Sequence, residues 1–371
     1  MSGAPVGPEL QFGTEELADL PFLPEAGRLL VERGYGMSLS ELAERWSEPF
    51  AEAGVRRARE AVLEGRVDQS LDSLPPEHRI LSFVVASLVV RATGDQYAAK
   101  RFALAEARRL EERLLQRIRR DRRDAAVLLS KVYSRALGVS LQASERVVGP
   151  ELFDVSMGLR DYLRLSSSLD ASRWGIVNRV LDGGRVYLRL EEAARLLRGG
   201  IAELIESRLL SLELRSPPEP IAREAARLLE EVARSRPAPA RPSSGGPYPP
   251  CVTSLLRRLE SGENLPHAAR FFLASFLINA GVPIDDVVSI FSRSPDFNER
   301  VTRYQVEHIA GVRGGKRYSV PSCAKLAAQG LCARDETCGN IRNPISYLRR
   351  GSGRVGRASG KRGDRVPEGE L

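Results

Sequence analysis

Histidine is nearly missing from this chain, with three in 371 residues (His78, His267 and His308), which leaves little general-base capacity. No Asp-x-Asp pair occurs, so no local motif supplies the close carboxylates that hold the metal ions of a polymerase or nucleotidyl transferase. The H-E-x-x-H, G-x-S-x-G and dinucleotide-binding patterns are absent as well. The string GVRGGKR at 311–317 has the look of a phosphate loop, yet no Ser or Thr follows its lysine to hold magnesium. No run reaches the roughly 18 apolar residues of a membrane span. The opening MSGAPVGPEL has neither a basic nor an apolar leader region, so no secretory signal is expected. These absences point away from an enzyme and toward a cytoplasmic binding or regulatory protein.

Cysteine is the next scarcity. None precedes residue 251, and the four present are Cys251, Cys323, Cys332 and Cys338. A cytosolic chain with clustered thiols favours metal over disulfide, and four thiolates suit zinc or an iron-sulfur cluster. The gaps between them are 71, 8 and 5 residues, with none of the close C-x2-C or C-x4-C pairs of a zinc knuckle. Spacing alone leaves both groups open, leaning toward iron-sulfur. In either case the site ties one distant segment to a later one.

What is present is ordinary globular composition, 42% apolar and 28% charged, at a length that suggests two domains. The net charge of +8 is uneven: residues 1–250 carry 37 basic and 36 acidic side chains, and residues 251–371 carry 19 and 12. An anionic partner is therefore expected at the C-terminal part. Arginine outnumbers lysine 51 to 5, which we read as genomic base composition rather than mechanism.

The segment 234–250 (RSRPAPARPSSGGPYPP) reads as a Pro/Gly-rich linker between an N-terminal domain, 1–233, and a C-terminal domain, 251–350. Residues 351–371, Gly-rich and basic, read as a disordered tail. The fold class is mainly α. Leu110, Leu114 and Ile118 recur at helical spacing within 97–123, and 80–90 (ILSFVVASLVV) is apolar enough to be a buried helix. An Asp-Gly-Gly turn with Val186, Leu188 and Leu190 alternating predicts a hairpin in 174–190, a small α/β insert in the helical domain. Pro266 and Pro283 predict first turns of helices, Gly281 a helix end, and 296–309 a further helix with Phe297, Val301 and Tyr304 on one face. An all-α C-terminal domain follows.

The C-terminal motifs then become recognisable. YPPC at 248–251, PHAARFFLASFLINAG at 266–281, RYQVEHIAG at 303–311, YSVPSC at 318–323, GLC at 330–332 and CGNIRNPISY at 338–347 resemble the large subunit of archaeal and eukaryotic DNA primase. PFLPEA at 21–26, ILSF at 80–83, RFALAEA at 101–107 and WGIVNRVLDGGRVYL at 174–188 look like the archaeal version, so the resemblance covers most of the chain. It implies a 4Fe-4S cluster on Cys251, Cys323, Cys332 and Cys338. It also implies a non-catalytic, regulatory subunit whose N-terminal domain docks a small catalytic partner. The C-terminal domain is then expected to bind single-stranded DNA template, RNA primer and nucleoside triphosphates, in an archaeal cytoplasm at the nucleoid. No catalytic residue is expected in this chain.

Candidate binding residues follow from both readings. His267 and Arg270, three apart at the start of a predicted helix, share a face where the helix N-terminus favours anions. The bland alternatives are a solvent-facing polar residue and a surface ion pair. The resemblance implies contact with the initiating nucleotide. Tyr304 and His308 are one turn apart, suited to stacking on a base or sugar and equally to packing on each other. The resemblance favours template or primer contact. Lys316 and Arg317 sit in a Gly-flanked loop that would neutralise phosphates or simply be solvated. The basic run 117–123 (RIRRDRR) reads as a solvated helix face, and 153–165 with the 174–190 hairpin as candidates for the partner interface or for core. Two readings of other classes stand beside this one: an iron-sulfur repair enzyme of helical glycosylase type, which would crowd its cysteines into one short loop, and a zinc-stabilised nucleic-acid-binding module.

Overall fold

The computed structural model describes residues 11–352 apart from 168, 170, 236–246 and 313–314. The chain divides into two compact units, Met1–Arg236 and Pro237–Leu371. The expected linker falls largely on 236–246, and the expected tail on residues from 353 onward, both outside the described residues. At the margins of those two segments the described chain is helical, since helices run to Ser235, from Pro250 and to Ser352.

The N-terminal unit is mainly helical. Its helices are α1 (Thr14–Asp19), α2 (Pro24–Glu32), α3 (Leu39–Glu44), α4 (Pro49–Arg59), α5 (Pro76–Ala92), α6 (Gln96–Arg120), α7 (Arg122–Leu137), α8 (Leu159–Ser166), α9 (Ala171–Trp174), α10 (Leu190–Ser211) and α11 (Glu219–Ser235). Pro24, Pro49 and Pro76 each stand at the first helical residue, where a missing N–H costs no intrahelical bond. Helix α5 contains the apolar run 80–90 and is buried on most sides, as its lack of a polar face requires. The periodic segment 97–123 is two helices rather than one. Asp121 turns extended, and its carboxylate accepts from Arg123 N at 2.9 Å and Asp124 N at 3.1 Å, capping α7. Helical periodicity carries straight across such a cap, and only the Asp marks the break.

The insert is a four-stranded antiparallel sheet in the order β1-β2-β4-β3, with β1 (Leu141–Val148), β2 (Glu151–Gly158), β3 (Val180–Asp182) and β4 (Arg185–Leu188). The predicted Asp-Gly-Gly turn joins β3 to β4, with Gly183 and Gly184 both at positive φ as a tight hairpin turn requires. Val186 and Leu188 point into the core, whereas Leu190 begins α10 instead of extending the strand. The β1–β2 hairpin was not predicted, although Phe153, Val155 and Met157 alternate as buried residues along β2. Arg179 locks the insert to α10. Its guanidinium lies 4.7 Å over the Trp174 ring, donates to Tyr162 Oη at 2.7 Å and pairs with Glu192 at 2.6 Å.

The C-terminal unit consists of α12 (Pro250–Glu260), α13 (His267–Asn279), α14 (Ile284–Phe291), α15 (Glu299–Ala310), α16 (Cys323–Ala328), a 3-10 turn at Glu336–Cys338, and α17 (Ile345–Ser352). No strand occurs among its described residues. Its core forms around α13, where Phe272, Leu273, Phe276 and Leu277 are fully enclosed. Pro266 and Pro283 are the caps just before α13 and α14 rather than first-turn residues. Asn298 caps α15, accepting from Val301 N at 3.1 Å, so Phe297 lies before that helix instead of on its face.

Candidate functional site

Four of the six predicted binding residues come together in the C-terminal unit. A cavity of about 320 Å³ is lined by His267 and Arg270 from α13, Tyr304 and His308 from α15, and Phe271 and Tyr318 beside them. The convergence is set by backbone. His267 and Arg270 occupy the first turn of α13 because Pro266 ends the preceding chain in an extended conformation. Tyr304 and His308 share a face because they are one turn apart.

The rings form a ladder. Tyr304 stacks on His308 with centroids 6.5 Å apart and planes 20° apart, His308 meets Tyr318 at 5.5 Å, and Tyr318 meets Phe271 edge-on at 5.6 Å. Tyr304 and Tyr318 are 53% and 42% exposed, and His308 is exposed too. A buried aromatic ladder is core. An exposed one at a cavity mouth offers faces on which a base can stack. Tyr318 was not singled out from sequence, because it is distant from Tyr304 in the chain. Its place is fixed by its own N–H on Ile309 O at 3.0 Å and by Asn279 Nδ2 on its carbonyl at 2.9 Å.

Arg270 is ion-paired, as the bland reading allowed, and it still lines the cavity. Its Nη2 reaches both Asp296 oxygens, at 2.8 and 2.7 Å, and the Asn264 amide oxygen, while Nε donates to Leu265 O at 2.7 Å. His267 is exposed, and its side chain has no hydrogen bond among the described residues. Lys316 and Arg317 are exposed and stand outside the cavity lining. Their loop folds back on the end of α15. At Gly311, φ is +80°, and an added Cβ would fall 2.8 Å from Arg317 N and Gly315 O. Only glycine permits both that conformation and that approach.

The four cysteines line a second cavity, of about 530 Å³, together with Pro249, Leu326 and Pro344. Cys251 stands in the first turn of α12, Cys323 opens α16 behind the Ser322 cap, and Cys338 closes the 3-10 turn. Burial pushes the Cys251 thiol up to about 12, and the neighbouring Cys332 and Cys323 add to the rise. Burial, then Cys332 and Cys338, raise Cys323 in the same way. Cys251 and Cys323 thus resist ionising, because burial and the neighbouring thiols both disfavour the charged form. Among the described residues no group of three or more His, Cys, Asp or Glu is gathered closely enough to be a ready-made ion site. Cys323 N donates to Arg342 O at 2.9 Å and the Asn343 side-chain Nδ2 to Val320 O at 2.9 Å, so the stretch ending at Cys323 is held to the residues that follow Cys338.

In the N-terminal unit the candidates resolve differently. The run 117–123 is divided: Arg117 pairs with Glu16 at 3.0 Å and with Asp124, and Arg122 with Asp154 at 2.8 Å and Glu191 at 2.7 Å, whereas Arg119, Arg120 and Arg123 are exposed, as a solvated helix face requires. Most of the proposed interface residues are core, since Phe153, Tyr162, Leu165, Trp174, Val186 and Leu188 are buried. Leu152, Leu163, Val177 and Leu181 are exposed there. Among the described residues no helix is long and apolar enough to cross a membrane.

Comparison with known proteins covers both units. Residues 40–217 match the family model described as eukaryotic and archaeal DNA primase, large subunit N-terminal domain, and residues 241–348 match the corresponding C-terminal domain. The protein called DNA primase large subunit PriL in Methanocella arvoryzae is 33% identical over 347 residues, 90% of this chain and 87% of that protein. The PriL of Methanococcoides burtonii is 31% identical, over 90% of this chain and 91% of the relative. That of Halobacterium salinarum is 32% identical over 89% and 91%.

Proposed function

The chain belongs to the large-subunit family of eukaryotic and archaeal DNA primases, and on that premise we propose that it is the non-catalytic, regulatory subunit of a heterodimeric primase. It stabilises a small catalytic subunit and supports the start of RNA primers during DNA replication, in the cytoplasm at the nucleoid. The N-terminal unit docks the small subunit, and the C-terminal unit takes template, primer and nucleoside triphosphate. The single observation that carries this reading is the cavity that gathers His267, Arg270, Tyr304 and His308. Matches to the primase large subunit over both units leave the glycosylase and zinc-module readings without support.

Initiation must bring two nucleotides together on a template, and holding the first removes an entropic barrier. The N-terminus of α13, with His267 and Arg270, suits a triphosphate. The ring ladder of Tyr304, His308 and Tyr318 suits the base or sugar behind it. Lys316 and Arg317, exposed beside the ladder, suit the backbone of template or primer.

Cys251, Cys323, Cys332 and Cys338 would hold a 4Fe-4S cluster. The fit rests on the donor set and the space: soft thiols alone, around a cavity of about 530 Å³. One tetrahedral ion draws its sulfurs to about 2.3 Å and needs far less room. When bound, the cluster supplies a covalent tie between α12 and the 323–338 segment. Anaerobic purification followed by iron, sulfide and zinc analysis tests this, and stoichiometric zinc without iron would count against the cluster.

The nucleotide role is tested in the reconstituted heterodimer. Replacing both His267 and Arg270 by alanine should reduce dinucleotide formation on the order of a hundredfold, the worth of two charge-assisted hydrogen bonds, and leave extension of a supplied primer nearly intact. Equal loss in both assays would remove the role. The non-catalytic assignment fails if the isolated chain makes primers by itself.

A further inference from the structure

We propose that Asp296 is a positioning residue for initiation: its carboxylate orients the Arg270 guanidinium so that the remaining edge meets the phosphates of the initiating nucleotide. The inference rests on the nucleotide reading above and deepens it by adding the residue on which Arg270 depends. Arginine has five N–H donors in a rigid planar fork. Nε is bound to Leu265 O at 2.7 Å, and Nη2 to Asp296 at 2.7 and 2.8 Å and to the Asn264 amide oxygen. Nη1 has no hydrogen bond among the described residues, so its two donors are left for a ligand in the cavity that Arg270 lines.

Asp296 is itself held. Ser294, 2% exposed, donates from Oγ to Asp296 Oδ1 at 2.6 Å, and Ser294 N is fixed on Phe291 O at 2.9 Å at the end of α14. The chain of contacts therefore runs from a buried serine through a carboxylate to a cation at the cavity wall. A long cation that must bind a phosphate loses less freedom on binding when its rotamer is already set, which is the advantage of preorganisation. The side chains of Arg270 and Asp296 are 30% and 28% exposed, so this pair by itself stabilises the fold little. Orientation is its more consequential effect.

The experiment uses the heterodimer with the intact chain and measures dinucleotide formation against initiating ATP concentration. Asp296→Asn, which keeps the shape and removes the charge, is expected to raise KM for the initiating nucleotide on the order of tenfold with kcat nearly unchanged. Primer extension from a 5′-hydroxyl primer should be unaffected. The preference for a 5′-triphosphate over a 5′-hydroxyl initiator should shrink by the same factor. Asp296→Glu, which restores the charge, should recover part of the loss. In an Arg270→Ala background, Asp296→Asn should have no further effect, because a positioning residue acts only through the group it positions. If Arg270→Ala impairs initiation and Asp296→Asn does not, the positioning role is overturned and the nucleotide reading stands. If Arg270→Ala is silent, both fall. A lowered KM in Asp296→Asn would mean that the carboxylate competes with phosphate, and additive losses would mean an independent contribution; either result overturns the proposal.

Discussion

In the N-terminal unit arginine is a building material, whereas in the C-terminal unit a partly paired arginine, an exposed histidine and exposed aromatic rings line a cavity. Arg57 lies fully inside the first unit, bonded to Glu106 at 2.6 and 2.7 Å, to Arg79 O at 3.0 Å and to Ser82 Oγ at 2.9 Å. Arg79, Arg109, Arg113 and Arg117 then bridge α1 and the 69–73 turn through Glu15, Glu16, Asp19 and Asp72. In the second unit, among the described residues, neither the His267 side chain nor Arg270 Nη1 has a hydrogen bond, and Tyr304, His308 and Tyr318 are exposed. A densely basic sequence is therefore a poor guide to an anion site. What matters is whether the carboxylates of the fold have already satisfied the cations.

Four measurements break or sharpen that contrast. The largest effect is expected from Arg57→Ala. It strands Glu106, whose side chain is 4% exposed, and should cost about 3–5 kcal/mol, the penalty for an uncompensated buried charge. Denaturant unfolding of the N-terminal unit should show the loss, and an unchanged midpoint would mean that the pair is not a keystone. Next, Gly311→Ala forces a Cβ against the backbone of 315–317 at a positive φ. A loss of about 1–3 kcal/mol in the C-terminal unit is expected, together with weaker primer binding, read by thermal melting and titration. If melting drops without any change in binding, the loop that carries Lys316 and Arg317 is only structural.

Asn298→Ala removes the α15 cap and should cost about 1 kcal/mol, observable as a lowered melting temperature of the C-terminal unit. The α15 face bearing Tyr304 and His308 should keep its orientation, since Val306 and Ile309 anchor the helix from the other side. The smallest effect concerns pH. The hydrogen bond from Arg117 holds the Asp124 carboxyl below its usual 3.8. A depressed carboxylate contributes stability above the unfolded value and loses it as pH falls through the folded one. The difference between the wild type and Asp124→Asn should therefore be constant near neutrality and vanish in acid below pH 3.8. Because Asp124 is half exposed, the plateau should be only a few tenths of a kcal/mol.

Much was legible in the chain. The buried helix at 80–90, the Asp-Gly-Gly hairpin and the helical C-terminal unit came from patterns short enough to be read locally. The β1–β2 hairpin escaped because charged and polar residues (Gln142, Ser144, Glu145, Arg146) interrupt its alternation, and β1 at the sheet edge needs few apolar contacts. The break at Asp121 escaped because a cap is one residue, whereas periodicity is averaged over many. Tyr318, Phe271 and Asp296 escaped because a cavity wall is assembled across turns that no spacing rule spans.

The sequence by itself determined the helical class, the family, the four thiols and the residues proposed for a nucleotide site, because residue chemistry and motif order are local facts. Only the tertiary structure decided which cations stay available. That depends on where Asp296, Glu106, Asp124 and Asp154 are brought, and an ion pair forms between groups near in space, however far apart they stand in the chain.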